Sequence, residues 1–253
     1  MRATAIEFRL RMVIMAVVIT LGFWSPWIET WGLGKRISLL EWLALELSRL
    51  GLIPFAIATP LVIVVAALVA AAGAILRVWG TAWLGPGTVN RMRMIAGTVL
   101  ADGPYRYMRN PLYIGSGCMV AAMAFLMPPT GALFVMALLT VFLMRLIHGE
   151  EAFLAAQLGD PYRAYLQAVP RLIPRLRTTL QPTGRRPHWL HAVLAEINPI
   201  GVFLIFAVLS WRYDHWLMVR AIIVSFGVSL VVRAVDYSAE RDAGPIDNPR
   251  PAE

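Results

Sequence analysis

The feature that most constrains this chain is a series of apolar blocks, each close to the length of a membrane span, separated by arginine-rich polar segments. A helix needs about 20 mostly apolar residues to cross lipid, because the hydrocarbon core is about 30 Å thick and the rise is about 1.5 Å per residue. Blocks at 10–27, 54–76, 111–127, 132–147, 191–211 and 216–232 meet or approach this length. The pattern predicts an all-α polytopic bundle of about six transmembrane helices. Apolar residues make up 58% of the 253 and charged residues 15%. A soluble domain has about 45–50% and about 25%.

Residues 32–51 differ from the blocks. Leu39, Leu40, Leu43, Leu47 and Leu50 recur at helical spacing among Glu41, Glu46 and Arg49, which predicts an amphipathic helix lying in the interface. Trp24, Trp27 and Trp31 suit an interfacial belt, and the first block lacks a cleavage pattern, so it reads as a retained helix. Pro128-Pro129-Thr130-Gly131 is a turn signal that makes the third and fourth blocks a hairpin. The expected organisation is an N-terminal transmembrane and interfacial pair over 1–52, a membrane core over 53–180, a two-helix membrane segment over 181–236 and a disordered tail over 237–253, rich in Gly and Pro.

The formal charge of +8 fits this reading. Arg77, Arg91, Arg93, Arg106 and Arg109 fall in one inter-block segment, and Arg163, Arg171, Arg175, Arg177, Arg185 and Arg186 in another. Lysine and arginine gather beside spans on the cytoplasmic side, which puts both segments and both termini in the cytoplasm, with the chain in the inner membrane. No nucleic-acid motif is present. Cys118 stands alone inside a block, which rules out an intrachain disulfide and suits a packing residue. His188 and His191 have no Cys or carboxylate set to complete a zinc site, so no metal is expected.

Chemistry-bearing residues collect in the two arginine-rich segments. The first holds Gly103-Pro104-Tyr105 and Arg109-Asn110-Pro111-Leu112-Tyr113-Ile114-Gly115. Pro111 suits a first helical turn and Asn110 an N-cap, so a helix N-terminus would face the cytoplasm and favour an anion, with Arg109 as a second clamp. Tyr105 and Tyr113 can pack on a flat ring and donate hydroxyl hydrogen bonds. The same residues also suit a turn that only anchors a helix at the interface. The second segment starts with Glu150-Glu151, a carboxylate pair that is costly at a membrane face unless a cation joins it. Solvated carboxylates at a helix end are the alternative. Beyond it come Leu158-Gly159, Tyr162 and Tyr165 three residues apart, and Arg171 between Pro170 and Pro174.

Taken together, these residues resemble the isoprenylcysteine carboxyl methyltransferase and phospholipid methyltransferase group of integral membrane enzymes. The matching positions are Gly103, Pro104, Tyr105, Arg109, Pro111, Tyr113 and Gly115, then Glu150, Glu151, Gly159, Tyr162, Tyr165, Arg171 and Pro174. Asn110 departs from the family's His, and Leu158 replaces its usual Phe. Asn keeps hydrogen bonding but cannot act as a base. The run 76–85 is also similar, so the resemblance covers about residues 60–178.

The resemblance implies S-adenosylmethionine as methyl donor, held by Tyr105, Arg109, Asn110, Pro111, Tyr113, Gly115, Glu150 and Glu151. It implies a lipid or lipid-like acceptor, carboxylate or amine, arriving laterally from the bilayer. Arg171 is the expected steering group for an anionic acceptor, and Tyr165 the second expected catalytic residue. Two other readings stay open: an NADPH-dependent membrane reductase of the sterol reductase type, and a non-enzymatic scaffold or transport protein.

Overall fold

The computed structural model describes residues 3–24, 37–85, 99–175, 177–178, 180–182 and 185–242, with side chains to residue 235. Trp27, Trp31, Arg91, Arg93 and residues 243–253 of the expected tail lie outside the described residues. The described chain is all-α. In lipid the backbone must satisfy its own hydrogen bonds, and helices do so within one segment. In chain order the helices are α1 (Ala5–Arg9), α2 (Arg11–Phe23), α3 (Leu39–Arg49), α4 (Phe55–Leu84), α5 (Pro111–Ala124), α6 (Pro129–Leu158), α7 (Asp160–Ala168), α8 (Trp189–Ala195), α9 (Ile197–Leu209) and α10 (His215–Asp242).

The described parts of all six apolar blocks are helical, but fewer than the expected six or so are long enough to span. Among the described residues, α4, α6 and α10 up to Val235 are long and apolar enough to cross a membrane. The fifth block is not one rod: it breaks at Glu196 into α8 and α9, bent by 69°, and counts as a fourth span only as a pair. The first and third blocks form helices of 13 and 14 residues, below the usual spanning length. The third stops early because Pro128 and Pro129 follow it and cannot continue its hydrogen bonding. The fourth block, expected at 132–147, is the reverse case. Its helix starts at Pro129 and runs 30 residues, about 45 Å, so Glu150 and Glu151 ride on the helix. At the other end α10 continues to Asp242, through the first residues of the expected tail.

Small residues set the packing. α4 and α5 run antiparallel, with Gly80 against Leu112 and Gly73 against Gly115, Cys118 and Met119. A Cβ on Gly73 would lie 3.0 Å from the Gly115 carbonyl oxygen, so the backbones touch. α2 runs antiparallel to α6: Gly22 meets Gly131 and Val135 at one end, and Ala3 meets Arg145 and Gly149 at the other. Ser38 and Glu41 form a capping box that starts α3, whose first N–H groups reach the Phe125 and Met127 carbonyls beyond α5. α3 buries Leu40 and Ala44 against Ala58, Val62 and Ile63 of α4, as expected of an amphipathic helix.

α9 and α10 join through Val202, Ile205, Phe206 and Met218, which share a core with Ala66, Ala70 and Ala74 of α4. One ionic tie fixes this C-terminal group to the core. Arg77 on α4 reaches Glu196 at the α8–α9 break, through Nε at 2.6 Å and Nη2 at 2.9 Å. Thr81 donates to the same carboxylate at 2.6 Å, and Arg77 Nη1 donates to Ser116 at 2.7 Å. Glu196 and Thr81 are both 0% exposed.

Candidate active site

The two arginine-rich segments fold together at one end of the bundle. The first enters through a 3-10 turn over Gly103–Arg106, where Gly103 has φ +52° and presses its backbone on the Trp83 ring. A Cβ there would collide with the indole, so glycine is required twice over. Backbone bonds then join the segments: the Arg109 N–H donates to the Pro170 carbonyl at 2.9 Å and the Arg175 N–H to the Tyr107 carbonyl at 3.0 Å. Arg106 Nε donates to the Leu180 carbonyl at 3.0 Å.

The loop delivers Asn110 and Tyr113 onto the inner face of α6. Asn110 Nδ2 donates to Glu151 Oε1 at 3.1 Å and to the Arg171 carbonyl at 3.2 Å. The Tyr113 hydroxyl donates to Glu150 Oε2 at 2.7 Å. Asn110 occupies the N-cap position of α5, but its side chain makes no cap bond, contrary to expectation. It reaches across to the carboxylate instead. Pro111 sits in the first turn of α5 as expected. Gly115 lies one turn deeper, with Arg77 where its Cβ would be, so it passes α4 rather than lining a loop.

The two carboxylates differ in their partners. Glu151 is 6% exposed and surrounded by donors. Arg171 holds it through Nε at 3.0 Å and Nη2 at 2.9 Å, and Arg109 Nε stands at 3.5 Å, ion-pair distance without a formed hydrogen bond. Glu150 receives the Tyr113 hydroxyl and feels the charge of Arg11, which arrives from the start of α2.

Arg171, the expected steering group for an anionic acceptor, pairs with Glu151. Its Nη1 also lies 3.1 Å from His148 Nε2. His148 Nδ1 is 2.6 Å from the Met144 carbonyl, which has no proton to give, so Nδ1 donates and Nε2 accepts from Arg171. Tyr165 is also committed: its hydroxyl donates to the Tyr105 carbonyl at 2.8 Å. Burial pushes the Tyr165 and Tyr162 phenols upward, so both stay protonated near neutrality and neither offers a base. Tyr105 is 8% exposed, and its hydroxyl has no partner among the described residues. Burial raises its pKa strongly, with Glu150 adding to the effect.

Four participants were not picked out from sequence: His148, Arg11, Arg77 and Glu196. His148 and Glu151 are three apart, and continuing the α6 pattern past 147 would have put them on one face. Glu196 is the single acidic residue in 189–211, and an ionisable group inside an apolar block is a signal in its own right. Arg11 carried no signal apart from its place beside the first block.

The site so described is a buried acidic pair at a membrane helix end, bracketed by arginines, tyrosines and an amide. Residues 58–160 match the phospholipid methyltransferase family. No curated protein and no solved structure matches the chain. The match holds α4, the first motif segment, α5 and α6 down to Glu150 and Glu151, and it stops before Arg171. Residues 58–160 therefore carry a phospholipid methyltransferase domain match, of the group of integral membrane enzymes its motifs resemble, and this match supports a membrane methyltransferase acting on lipid.

Proposed function

We propose that this chain moves a methyl group from S-adenosylmethionine to the amine or carboxylate of a lipid-like acceptor, at the cytoplasmic face of the inner membrane. The observation that carries the reading is the meeting of the two motif segments, Asn110 with Glu151 at 3.1 Å and Tyr113 with Glu150 at 2.7 Å. The residues fit such a donor. Its sulfonium and ammonium groups are cations, and Glu150 offers a carboxylate with fewer donors around it than Glu151. The unpartnered Tyr105 hydroxyl supplies a buried hydrogen-bonding group beside them. When bound, the donor supplies an electrophilic methyl group whose bonding pair departs with sulfur.

The chain's own residues orient and exclude water. Glu151 fixes Arg109, Asn110 and Arg171 as one unit, which ties the loop to α6. Tyr165 and Tyr162 seal the underside of the loop with Val169. Alignment of acceptor, methyl and leaving sulfur is the main catalytic device available, because no side chain here need bond covalently to either partner. A carboxylate acceptor needs no base. An amine acceptor must lose its proton, and Asn110 cannot take it.

The test is radiolabelled adenosylmethionine added to membranes containing the chain, with a panel of phospholipids, prenylated peptides and fatty acids. Label should appear in an extractable lipid or peptide and vanish in Glu151→Ala and Tyr113→Ala. Absence of labelled product across the panel, with protein that binds no adenosylmethionine, overturns the reading.

A further inference from the structure

The bundle carries a cavity at the end away from the motif segments. It measures about 460 Å³ and lies between α3, the start of α4 and the turn that joins α9 to α10. From Thr59 on its wall to Thr81 at the Glu196 tie, α4 rises about 33 Å, so the cavity and the candidate active site lie at opposite membrane faces. No residue assigned above to methyl transfer lies at this end. The family match covers 58–160, so α3 and the α9–α10 turn both fall outside it.

Its floor is apolar and its rim is acidic. Leu40, Leu126 and Met218 line it and are buried. Glu41 and Asp214 line it and are exposed. No lysine or arginine lines it among the described residues, in a chain of net charge +8. Each carboxylate is half used. Glu41 Oε2 accepts the Ser38 backbone N–H at 2.8 Å and the Ser38 hydroxyl at 2.9 Å. Asp214 Oδ1 accepts the Leu217 N–H at 2.9 Å. Glu41 Oε1 and Asp214 Oδ2 carry no hydrogen bond among the described residues. Tyr213 and His215 line the same rim. Tyr213 has φ +55°, alone among the described non-glycine residues, so the turn keeps an aromatic where glycine or asparagine fits more easily. The depth is that of lipid headgroups. The spans α4 and α10 start at Phe55 and His215, both on the lining. Trp42, Trp211 and Trp216, sequence neighbours of Glu41, Ser210 and His215, are exposed as in an interfacial belt.

We propose that this cavity binds a phospholipid with a primary amine headgroup, from the leaflet opposite the candidate active site. An ammonium group has three N–H donors, and the two free carboxylate oxygens accept them in charge-assisted bonds. The Tyr213 hydroxyl and the His215 ring supply donors for the phosphate, and the apolar floor takes the start of an acyl chain. An anionic headgroup would meet two carboxylates, and a quaternary amine has no N–H to give. The bound lipid ties α3, ahead of the matched domain, to the α9–α10 turn behind it. The site does not depend on methyl transfer.

Native mass spectrometry of the full-length protein in detergent tests this by counting bound lipids. The probes are phosphatidylethanolamine, phosphatidylcholine and phosphatidylglycerol of one acyl composition. Phosphatidylethanolamine should bind the wild type most tightly. Glu41→Gln combined with Asp214→Asn keeps both cap acceptors and removes both charges. It should weaken phosphatidylethanolamine binding by about tenfold or more, the loss of a charge-assisted contact. Phosphatidylglycerol and adenosylmethionine should bind this variant as they bind the wild type. Its lipid-free unfolding temperature should match the wild type, and phosphatidylethanolamine should raise it less. Ala56→Phe, at an exposed lining position, should block the mouth with the charges intact, and it decides alone if the double variant unfolds early. The proposal is overturned if the double variant binds phosphatidylethanolamine normally, or if the wild type binds phosphatidylglycerol equally well. Loss of phosphatidylethanolamine in Tyr113→Phe but not in the double variant would put the lipid at the motif segments and also overturn it, as would a dimer that excludes the lipid. If the wild type shows the expected lipid pattern but binds no adenosylmethionine, the methyl-transfer reading fails alone.

Discussion

At the scale of single residues, the site is organised around Glu151. It is the one carboxylate that Asn110, Arg109 and Arg171 share, and it is nearly inaccessible. Removing one partner of a buried ionic group leaves the others uncompensated, at a cost of order 3 kcal/mol. Arg171 is 37% exposed, so water softens the loss there. Glu151→Gln should therefore lower the unfolding temperature in detergent and abolish methyl transfer together. Tyr113→Phe should separate the two. It removes one charge-assisted hydrogen bond, about 1.5–3 kcal/mol, from a group that faces the proposed donor. Adenosylmethionine affinity should fall roughly tenfold by titration, with little change in unfolding temperature. Tyr165→Phe is the counterpart. Its hydroxyl braces the Tyr105 carbonyl, so about 1 kcal/mol of stability should go while the pH profile of turnover stays put.

At the scale of elements, two helix contacts decide whether the site is held. α2 crosses α6 where Gly22 and Gly131 leave no space for side chains. Gly131→Ala would set a methyl group on the Gly22 carbonyl and force the helices apart, costing about 1–3 kcal/mol as overpacking does. Thermal unfolding of the purified variant checks this. The other contact is the clamp from α1. Glu7 has its pKa held below the usual carboxylate value by the Thr4 backbone N–H first and by the Arg145 guanidinium second. A depressed carboxylate contributes stability above its unfolded pKa, near 4.3, and loses it as pH falls through the lower folded value. Hydrogen-exchange protection over residues 3–10, taken against the intrinsic rate at each pH, should thus be high at neutral pH and fall below about pH 4. Glu7→Gln should exchange fast at every pH. Equal pH dependence in that variant would remove Glu7 from the clamp.

At the scale of the whole molecule, the family match covers only part of the working unit. The C-terminal helices are tied to the core by Arg77–Glu196, and the same Arg77 fills the space beside Gly115 and bonds Ser116 on α5. Glu196→Ala leaves a buried guanidinium unpaired, an expected loss of about 3–5 kcal/mol. It should also weaken adenosylmethionine binding, because α5 carries Tyr113. A chain ending at residue 182 should lose both stability and donor binding although the matched residues remain. Retention of full donor affinity in that truncated protein would show the C-terminal helices to be dispensable.

Sequence alone determined the solvent and the helical class, because runs of apolar residues are a local property and lipid leaves the backbone few options. The turn at Pro128-Pro129, the amphipathic α3 and the order of the motif segments were legible for the same reason. What sequence left open was mostly long-range. The stretch of α6 past 147 carries polar residues that read as loop, yet it stays helical, with α1 and the Asn110 loop packed against it. The partner of Arg171, the bend at Glu196 and the arrival of Arg11 all join residues far apart in the chain. Such pairings are decided by which helices cross where, and here the glycines at 22, 73, 115 and 131 decide that by letting backbones touch.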